Sequence, residues 1–306
     1  MHDVVGVNDA RFIDPGADSR APDGAPVVRS ADTLVFAPTY NEVESIGLLL
    51  EQLLALPAKF DVLIVDDRSS DGTQAAIAAH AARNPRIGMI ERSGKLGIGS
   101  AHRLAWIHAR RLGYARIVTL DADLSHDPAD IPRLIAAIDA GADIAIGSRF
   151  ARGGQLDYAG WRFLVSRLAN HVARHLLRLP VREYTTSLRA ARLERVPAGL
   201  VESTASDGYS FFFTCMARFA RAGLKMVEIP IHFRDRHGGC SKLPPFEIVR
   251  GAFNLLWLTI DRRRAELVGL LPEPECRCRN CLGPYRVRTK NGAVRCLACA
   301  GADRAR

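Results

Sequence analysis

The sequence predicts an α/β protein whose mostly parallel sheet is covered by helices on both faces. From residue 33 onward, short apolar runs alternate with longer segments in which apolar residues recur at helical spacing. The short runs are apolar throughout, whereas a strand with one face in water would alternate apolar and polar residues. A third observation, polar residues directly after several of these runs, predicts a ligand site at one edge of the sheet.

The expected elements alternate strictly up to residue 149. Apolar runs predict strands at 33–39, 61–67, 87–92, 116–123 and 143–149, and helical spacing predicts helices at 41–56, 71–84, 100–112 and 130–141. Asn41 is expected to cap the first helix. Beyond residue 150 the pattern predicts helices at 161–179, 208–223 and 244–265, and a strand at 225–233.

Composition and charge narrow the class of protein. The chain has 306 residues, 48% of them hydrophobic, so it can bury a substantial core. No run approaches the roughly 18 apolar residues of a membrane span. Residues 1–30 lack the apolar core of a secretion signal and are expected to form a disordered leader of a cytoplasmic protein. The net charge of +9 suits an anionic partner such as a nucleotide, a lipid phosphate, a membrane surface or nucleic acid.

Polar residues follow four of the expected strands. They are Pro38–Glu42, Asp66–Asp67, Asp121–Asp123 and Ser148–Arg149. The carboxyl ends of parallel strands meet at one edge of a sheet, where ligands of such proteins bind. We therefore expect a single site along that edge.

The Asp-x-Asp motif at Asp121 and Asp123 suggests a divalent metal. In an extended chain, residues two apart point the same way, so the two carboxylates are expected to face one point. A hard cation such as Mg²⁺ or Mn²⁺ would relieve their repulsion, and a diphosphate is its natural companion. Asp67 is expected to accept hydrogen bonds from a sugar or base. The alternative, that aspartates cap helices and turns, is favoured instead for Asp71 and Asp127.

Taken together, the motifs resemble those of family 2 glycosyltransferases. The segments "APTYNEVESI", "LIVDDRSSDGT", "KLGIGSA", "TLDADLSHDP", "IGSRF" and "IPIHFRDRHGGCSK" stand in the order of that family. They are most similar to its polyprenol-phosphate (dolichol-phosphate) mannosyltransferase branch, over about residues 33–245. The resemblance implies a GT-A fold, a Rossmann-like nucleotide-sugar-binding domain that we expect to span residues 31–268.

The resemblance also implies roles for residues of this chain. The implied nucleotide-sugar contacts are Pro38, Tyr40, Glu42, Val65, Asp67, Asp121, Ala122 (through its backbone), Asp123, Arg149, Arg236 and Lys242. Asp121 and Asp123 would hold the Mg²⁺ or Mn²⁺ ion and, with Arg149, form the implied catalytic set. The basic residues at 149, 236 and 242 would surround the phosphates.

The implied reaction is inverting transfer of a hexose, mannose, from a nucleotide-diphosphate sugar, GDP-mannose, to a polyprenyl phosphate. A lipid phosphate is already an anionic nucleophile, so the protein would mainly align the reactants and screen their repulsion. Two alternatives stay open. One is a saccharide or other hydroxyl acceptor, which would need a carboxylate base such as Asp127 or Asp207. The other is a degenerate GT-A scaffold.

Departures from the branch keep these alternatives open. They are Ser125, Glu183, the run Thr185-Thr186-Ser187-Leu188-Arg189, Phe212 and Thr214. Most lie where the acceptor is expected, so the donor side of the site is the more closely matched.

A polyprenyl acceptor lies in a bilayer, which suggests peripheral contact with the inner face of the membrane. The helix expected at 161–179 has an apolar face with Leu168 and Val172 and a basic face with Arg167 and Arg174. The segment 244–265 is a second candidate. Helices of this kind also pack on their own domain, so both interpretations are retained.

The cysteine spacing in the last residues, 269–306, predicts a small zinc-ribbon-like module. Cys278-x2-Cys281 and Cys296-x2-Cys299 have the spacing of a four-cysteine zinc site, and Asn291-Gly292 between them is a two-residue hairpin signal. The segment is too short to build a core, so the metal would stabilise its fold. An unfolded tail is the alternative, and the basic residues would allow contact with nucleic acid or a protein partner.

Overall fold

The structure is a computed structural model that describes residues 29–157, 161–177, 179, 181–204, 206, 208, 210–235, 287–288 and 294–295. The strands are β1 (Thr33–Thr39), β2 (Asp61–Asp66), β3 (Ile87–Glu91), β4 (Arg116–Thr119), β5 (Ile144–Ser148), β6 (Gln155–Leu156), β7 (Arg189–Arg192), β8 (Met226–Pro230), β9 (His232–Phe233), β10 (Val287–Arg288) and β11 (Val294–Arg295). The helices are α1 (Val43–Ala55), α2 (Thr73–Ala81), α3 (Ile98–Arg111), α4 (Ile131–Asp139), α5 (Trp161–Leu177) and α6 (Ser210–Arg221), with a short 3-10 helix at Pro128–Asp130.

Seven strands form one sheet in the order β3-β2-β1-β4-β7-β5-β8. The pairs β3–β2, β2–β1, β1–β4 and β5–β8 are parallel, as the alternating pattern predicts. Strand β7, which the sequence does not predict, runs antiparallel between β4 and β5. The sheet is therefore mostly parallel, with one inserted strand near its middle.

Both faces of the sheet are covered, as expected for strands that are apolar throughout. Along β1, Leu34 and Phe36 belong to one apolar cluster, with residues of α3 and α6. Val35 and Ala37 belong to a second cluster, with residues of α1 and α4. The alternation of side chains between the two faces of a strand thus divides the core into two layers.

Two local predictions were wrong. Asn41 does not cap α1; it has a positive φ of 55°, and its Oδ1 instead accepts from the backbone N–H of Ser70 at 2.9 Å. The fourth strand ends at Thr119 rather than at 123, because the chain turns after Leu120 and Leu124 has a φ of 62°. The strand alternation invoked for Asp121 and Asp123 therefore does not apply to them.

The remaining segments are described only in part. None of the helices among the described residues has a stretch long and apolar enough to cross a membrane. In the tail, β10 and β11 pair antiparallel, with Val287 opposite Arg295 and Arg288 opposite Val294. The predicted Asn291-Gly292 turn between them lies outside the described residues.

Candidate active site

The carboxyl ends of β1, β2, β4 and β5 lie at one edge of the sheet. Strand β1 is parallel to both β2 and β4, while β4 and β5 each run antiparallel to β7 and so share a direction. The polar segments after these four strands therefore meet at the same edge, as the sequence predicts. This edge is the candidate active site.

At the end of β2, two neighbouring aspartates have different environments. Asp66 is fully buried and accepts hydrogen bonds from Thr39 Oγ1 at 2.8 Å, the backbone N–H of Ser69 at 2.8 Å and Gln74 Nε2 at 2.7 Å. Its carboxylate is thus satisfied within the protein. Asp66 ties the loop after β2 to β1 and α2 and supports its neighbour Asp67.

Asp67 lies at the site and forms an ion pair with the buried guanidinium of Arg92. It also accepts from the backbone N–H of Gly97 at 3.2 Å, at the start of α3, where Gly97 has a φ of 93° that favours glycine. Burial raises the pKa of the Asp67 carboxyl, although Arg92 and the hydrogen bonds oppose that shift. The Arg92 pair fixes the orientation of a carboxylate that has little solvent around it.

The remaining nucleotide candidates lie at the ends of β1 and β2. Pro38 is partly buried in β1, opposite Val65, which is fully buried in the core. Lys95 Nζ lies 4.2 Å from the centroid of the Tyr40 ring. Glu42 begins α1, and its backbone N–H donates to Thr73 Oγ1 at 2.8 Å.

The turn after β4, which we call the acidic turn, consists of residues 121–126. The side chain of Asp121 is 30% exposed, whereas Asp123 is only 6% exposed as a residue. Asp123 Oδ1 accepts from both the backbone N–H and the hydroxyl of Ser125, at 3.1 and 2.5 Å. One carboxylate is thus open to the site and the other is held by the turn itself.

His126 closes the acidic turn and is 1% exposed. Its Nδ1 lies 3.3 Å from the backbone nitrogen of Asp121 and 3.6 Å from Asp121 Oδ2, and its Nε2 lies 3.1 Å from Thr186 Oγ1. If Nδ1 accepts from the Asp121 N–H, the hydrogen of the neutral ring lies on Nε2, which then donates to Thr186. The Phe233 ring packs edge-on against the imidazole at 5.0 Å. Burial lowers the pKa of His126, while the carboxylates of Asp121 and Asp123 act in the opposite direction.

Arg149 follows β5 and pairs with Glu183 in a bidentate arrangement. Its Nε and Nη2 donate to the two carboxylate oxygens of Glu183, each at 2.8 Å, and the Arg149 and Glu183 side chains are 7% and 0% exposed. Burial alone would raise the pKa of Glu183, but the charge and hydrogen bonds of Arg149, with those of Thr185, lower it overall. The guanidinium also lies 5.0 Å from the Phe233 ring centroid.

Residues after Glu183 connect this pair to α5. Thr185 Oγ1 accepts from Arg149 Nη2 at 2.5 Å and from Asn170 Nδ2 at 3.1 Å. Asn170 lies on α5 and also accepts from the backbone N–H of Tyr184 at 2.7 Å. The side chain of Thr185 therefore connects helix α5 to the guanidinium of Arg149.

The expected capping roles are confirmed. Asp71 accepts from the backbone N–H of Thr73 at 3.0 Å, at the start of α2, and of Val43 at 3.1 Å, at the start of α1. Asp127 caps the 3-10 helix by accepting from the backbone N–H of Ala129 at 2.9 Å, and it also pairs with Arg234 at 2.7 Å.

The donor set of the acidic turn fits a hard divalent cation. Within the described part of the chain, no group of three or more His, Cys, Asp or Glu side chains could hold a metal by itself. Two carboxylates, one open to the site and one fixed by Ser125, are nevertheless the oxygen donors that Mg²⁺ and Mn²⁺ take together with ligand phosphates and water.

Several predicted site residues lie outside the described residues. They are Arg236, Lys242, Asp207 and the zinc candidates Cys278, Cys281, Cys296 and Cys299. Their roles stay predictions.

The structure adds two residues that sequence reasoning missed, Arg92 and His126. Arg92 follows β3 as an isolated arginine, and its partner Asp67 lies 25 positions earlier. His126 gave one usable signal, its position directly beside the aspartate cluster, but its partner Thr186 lies 60 positions away.

The chain is similar to known glycosyltransferases. The family described as Glycosyl transferase family 2 matches residues 34–195. A polyprenol monophosphomannose synthase of Mycolicibacterium smegmatis is 37% identical over 235 residues, which cover 76% of this chain and 89% of that protein. An undecaprenyl-phosphate mannosyltransferase of Micrococcus luteus is 36% identical over 211 residues, covering 69% and 86%.

Solved structures show the same fold. A crystal structure of glucosyl-3-phosphoglycerate synthase from Mycobacterium tuberculosis with Mn²⁺, uridine diphosphate and glucosyl-3-phosphoglycerate has a TM-score of 0.54 at 18% identity, covering 76% of this chain and 80% of that one. A second mycobacterial protein has a TM-score of 0.57 at 17% identity, covering 76% and 75%. This likeness confirms the expected GT-A architecture.

Proposed function

Because the chain belongs to glycosyl transferase family 2, we propose that it transfers mannose from a nucleotide-diphosphate sugar, GDP-mannose, to a polyprenyl phosphate. The observation that carries the proposal is the meeting, at one sheet edge, of an acidic turn and a buried Arg149–Glu183 pair. The names of the two relatives, which act on polyprenol and undecaprenyl phosphate, support this choice of acceptor.

The donor would lie along the ends of β1, β2 and β4. Asp67, oriented by Arg92, accepts hydrogen bonds from the nucleoside, and Tyr40 lies beside it with Lys95. Asp121 and Asp123 would hold Mg²⁺ or Mn²⁺ against the diphosphate. A bound divalent cation supplies neutralisation of the charge that develops on the departing nucleotide diphosphate.

The acceptor would meet the donor near Arg149. A lipid phosphate carries negative charge at neutral pH and attacks the sugar C1 from the face opposite the nucleotide, which inverts the anomeric centre. Arg149 screens the repulsion between the two anions, and its bidentate pair with Glu183 keeps the guanidinium in one orientation. No carboxylate base is required, which agrees with the capping role of Asp127.

Helix α5 would deliver the acceptor from a membrane surface. Leu168 is 62% exposed, and the exposed residues around it include Arg167, His171, Arg174 and His175. An exposed apolar residue near two arginines suits the interface of an anionic bilayer. Asn170 on the same helix contacts Thr185, which binds Arg149, so peripheral docking would bring a lipid phosphate close to the cation.

The test is a panel of nucleotide sugars, GDP-mannose, UDP-glucose and UDP-galactose, assayed with Mn²⁺ against a short polyprenyl phosphate and a soluble saccharide. We expect mannosyl transfer from GDP-mannose to the lipid phosphate. Transfer to the saccharide instead would support a hydroxyl acceptor. If the protein shows no turnover and does not bind a nucleotide diphosphate, that result would support the scaffold alternative.

A further inference from the structure

His126 uses both ring nitrogens within the protein although it lies at the proposed site. It is 1% exposed, and the acidic turn packs against it on one side and the segment after Glu183 on the other. The backbone N–H of Asp121 donates to Nδ1 at 3.3 Å, and Nε2 donates to Thr186 Oγ1 at 3.1 Å. Both ring nitrogens thus contact groups of the protein, and Nδ1 also lies 3.6 Å from the Asp121 carboxylate, which is the arrangement of a residue that positions its neighbours.

The contact with Thr186 continues to the cation of the site. The backbone N–H of Thr186 donates to Glu183 Oε1 at 3.2 Å, and the same oxygen accepts from Arg149 Nη2 at 2.8 Å. One continuous chain of hydrogen bonds therefore runs from the backbone of Asp121 to the guanidinium of Arg149. It crosses from the strand end of β4 to that of β5.

We propose that His126 is a positioning residue that links the acidic turn to the Arg149–Glu183 pair through the Asp121, His126 and Thr186 hydrogen bonds. The inference rests on the proposed function and deepens it. The Nδ1 side holds the turn in the conformation that presents Asp121, while the Nε2 side holds the segment that carries Glu183. The imidazole thereby sets the separation between the carboxylates of the donor side and the cation of the acceptor side.

Two conservative variants separate the two halves of this role. In His126→Asn, the amide oxygen can replace Nδ1 as an acceptor but nothing replaces the Nε2 donor. We expect near-normal nucleotide binding and an approximately tenfold higher KM for polyprenyl phosphate. In His126→Gln, the amide nitrogen can replace Nε2 as a donor. The lost bond, between the Asp121 backbone N–H and Nδ1, is longer than the bond to Thr186 and is therefore expected to be weaker. We expect Mn²⁺-dependent binding of GDP to be approximately threefold weaker, with little change in acceptor KM.

A double-mutant cycle tests the Nε2 side. Thr186→Val keeps the shape of the side chain but removes the hydroxyl, which also accepts from the backbone N–H of Leu188 at 3.2 Å. It should raise the acceptor KM at least as much as His126→Asn does. The double variant should be no worse than the worse of the two single variants. Additive losses in the double variant would overturn the proposal. It would also be overturned if all variants yielded less active protein while both KM values and GDP binding were unchanged, and His126 would then be a packing residue.

The tautomer provides a readout that does not depend on turnover. Nitrogen-15 NMR of labelled histidine in the wild-type protein should show hydrogen on Nε2 of His126, and the signal is assigned by its disappearance in His126→Gln. Hydrogen on Nδ1 would contradict the proposal. His80, whose Nδ1 contacts Ala76 O at 2.8 Å on α2, supplies matched controls, and His80→Asn and His80→Gln should leave all binding and kinetic values unchanged.

These measurements also separate this proposal from the proposed function. If the wild-type protein binds GDP with Mn²⁺ and shows the expected tautomer but transfers no mannose to polyprenyl phosphate, the proposed acceptor is wrong while the Nδ1 half of the link stands. If transfer occurs but the Asn and Gln variants show no division of effects, the link is wrong and the function stands.

Discussion

The donor half of the site, built on β1, β2 and β4, differs from the acceptor half, built on β7, β5 and β8, in how each holds its charges. In the donor half, the charged residues follow parallel strands in regular βα units, and Asp121 is partly open. In the acceptor half, Arg149 and Glu183 are almost completely buried and satisfy one another. The donor half therefore presents one partly open carboxylate, that of Asp121, next to carboxylates that are buried and held by the protein, whereas the acceptor half depends entirely on a closed polar network.

This difference has a physical consequence for mutations. An open carboxylate contributes to ligand binding but little to folding, because water solvates it when no ligand is present. A buried charge pair is different, since removal of one partner leaves the other charge desolvated. Mutation of a carboxylate in the acidic turn to its amide should therefore reduce activity in a folded protein, whereas mutation of Arg149 or Glu183 should reduce stability as well.

The largest expected effect is on the activity of Asp123→Asn. The amide keeps an oxygen for the Ser125 contacts but loses the charge that would bind the divalent cation, so we expect transfer with Mn²⁺ to fall by about 10³-fold or more. Thermal unfolding should change little. The control is Asp127→Asn, which alters a neighbouring helix cap and should retain most of the activity.

Next in size is the stability of Glu183→Gln. The loss of charge leaves the buried guanidinium of Arg149 without a counterion, and we expect a decrease of about 3–5 kcal/mol in the free energy of unfolding. Urea denaturation measures this. Asp139→Asn removes the partner of Arg116 in an exposed pair and should change stability by less than about 1 kcal/mol. Equal small losses in both variants would contradict the contrast between the two halves.

A smaller effect is expected where the two halves pack together. His102 on α3 lies between Phe36 of β1 and the rings of Phe211 and Phe212 on α6, and burial lowers its pKa to about 3. The folded protein thus keeps His102 neutral, while the unfolded chain protonates it below its ordinary pKa of 6.5. Stability contributed by this residue is therefore present above about pH 6.5 and is lost progressively as the pH falls towards 3.

The measurement is the free energy of unfolding at pH 7 and pH 5 in the wild-type protein and in His102→Gln. The lowered pKa of His102 predicts that the wild type loses about 2 kcal/mol more than the variant over this interval. Because His108, whose pKa is lowered to about 4 by burial, is present in both proteins, its contribution cancels. Equal losses would show that His102 is not desolvated as the packing requires.

The smallest expected effect is in the donor half and concerns Asp71. Its carboxylate accepts from the first turns of both α1 and α2, so Asp71→Ala should reduce stability by about 1 kcal/mol. Asn41→Gly removes the bond to the Ser70 backbone N–H and no helix cap, and glycine tolerates the φ of 55° at this position. A loss in Asn41→Gly larger than that in Asp71→Ala would contradict the assignment of the cap to Asp71.

The sequence predicted the donor half well because its signals are local. Apolar runs of β1, β2 and β3 and the polar residues after them recur in a regular order, and periodicity detects such repeats. Asp71 and Asp127 were also interpreted correctly, since a cap involves residues only a few positions away.

In the acceptor half, β5, β8 and Arg149 were predicted, but β7 and the contacts of Arg149 were not, because those contacts are distant in sequence. Strand β7 has the sequence Arg-Ala-Ala-Arg, which carries no strand signal, and it forms only because β4 and β5 offer pairing on both sides. Glu183 appeared only as a departure from the family pattern. Its partner Arg149 lies 34 positions away, and no local rule connects them.

The central claim is that Asp121 and Asp123 bind a divalent cation that in turn binds a nucleotide diphosphate. Calorimetric titration of GDP into the wild-type protein and into Asp123→Asn, each with Mn²⁺ and with EDTA, tests it most directly. We predict that Mn²⁺ tightens GDP binding by about tenfold or more in the wild type and has no such effect in the variant. Equal affinities in Mn²⁺ and EDTA for the wild type, or an unchanged Mn²⁺ effect in Asp123→Asn, would contradict the claim.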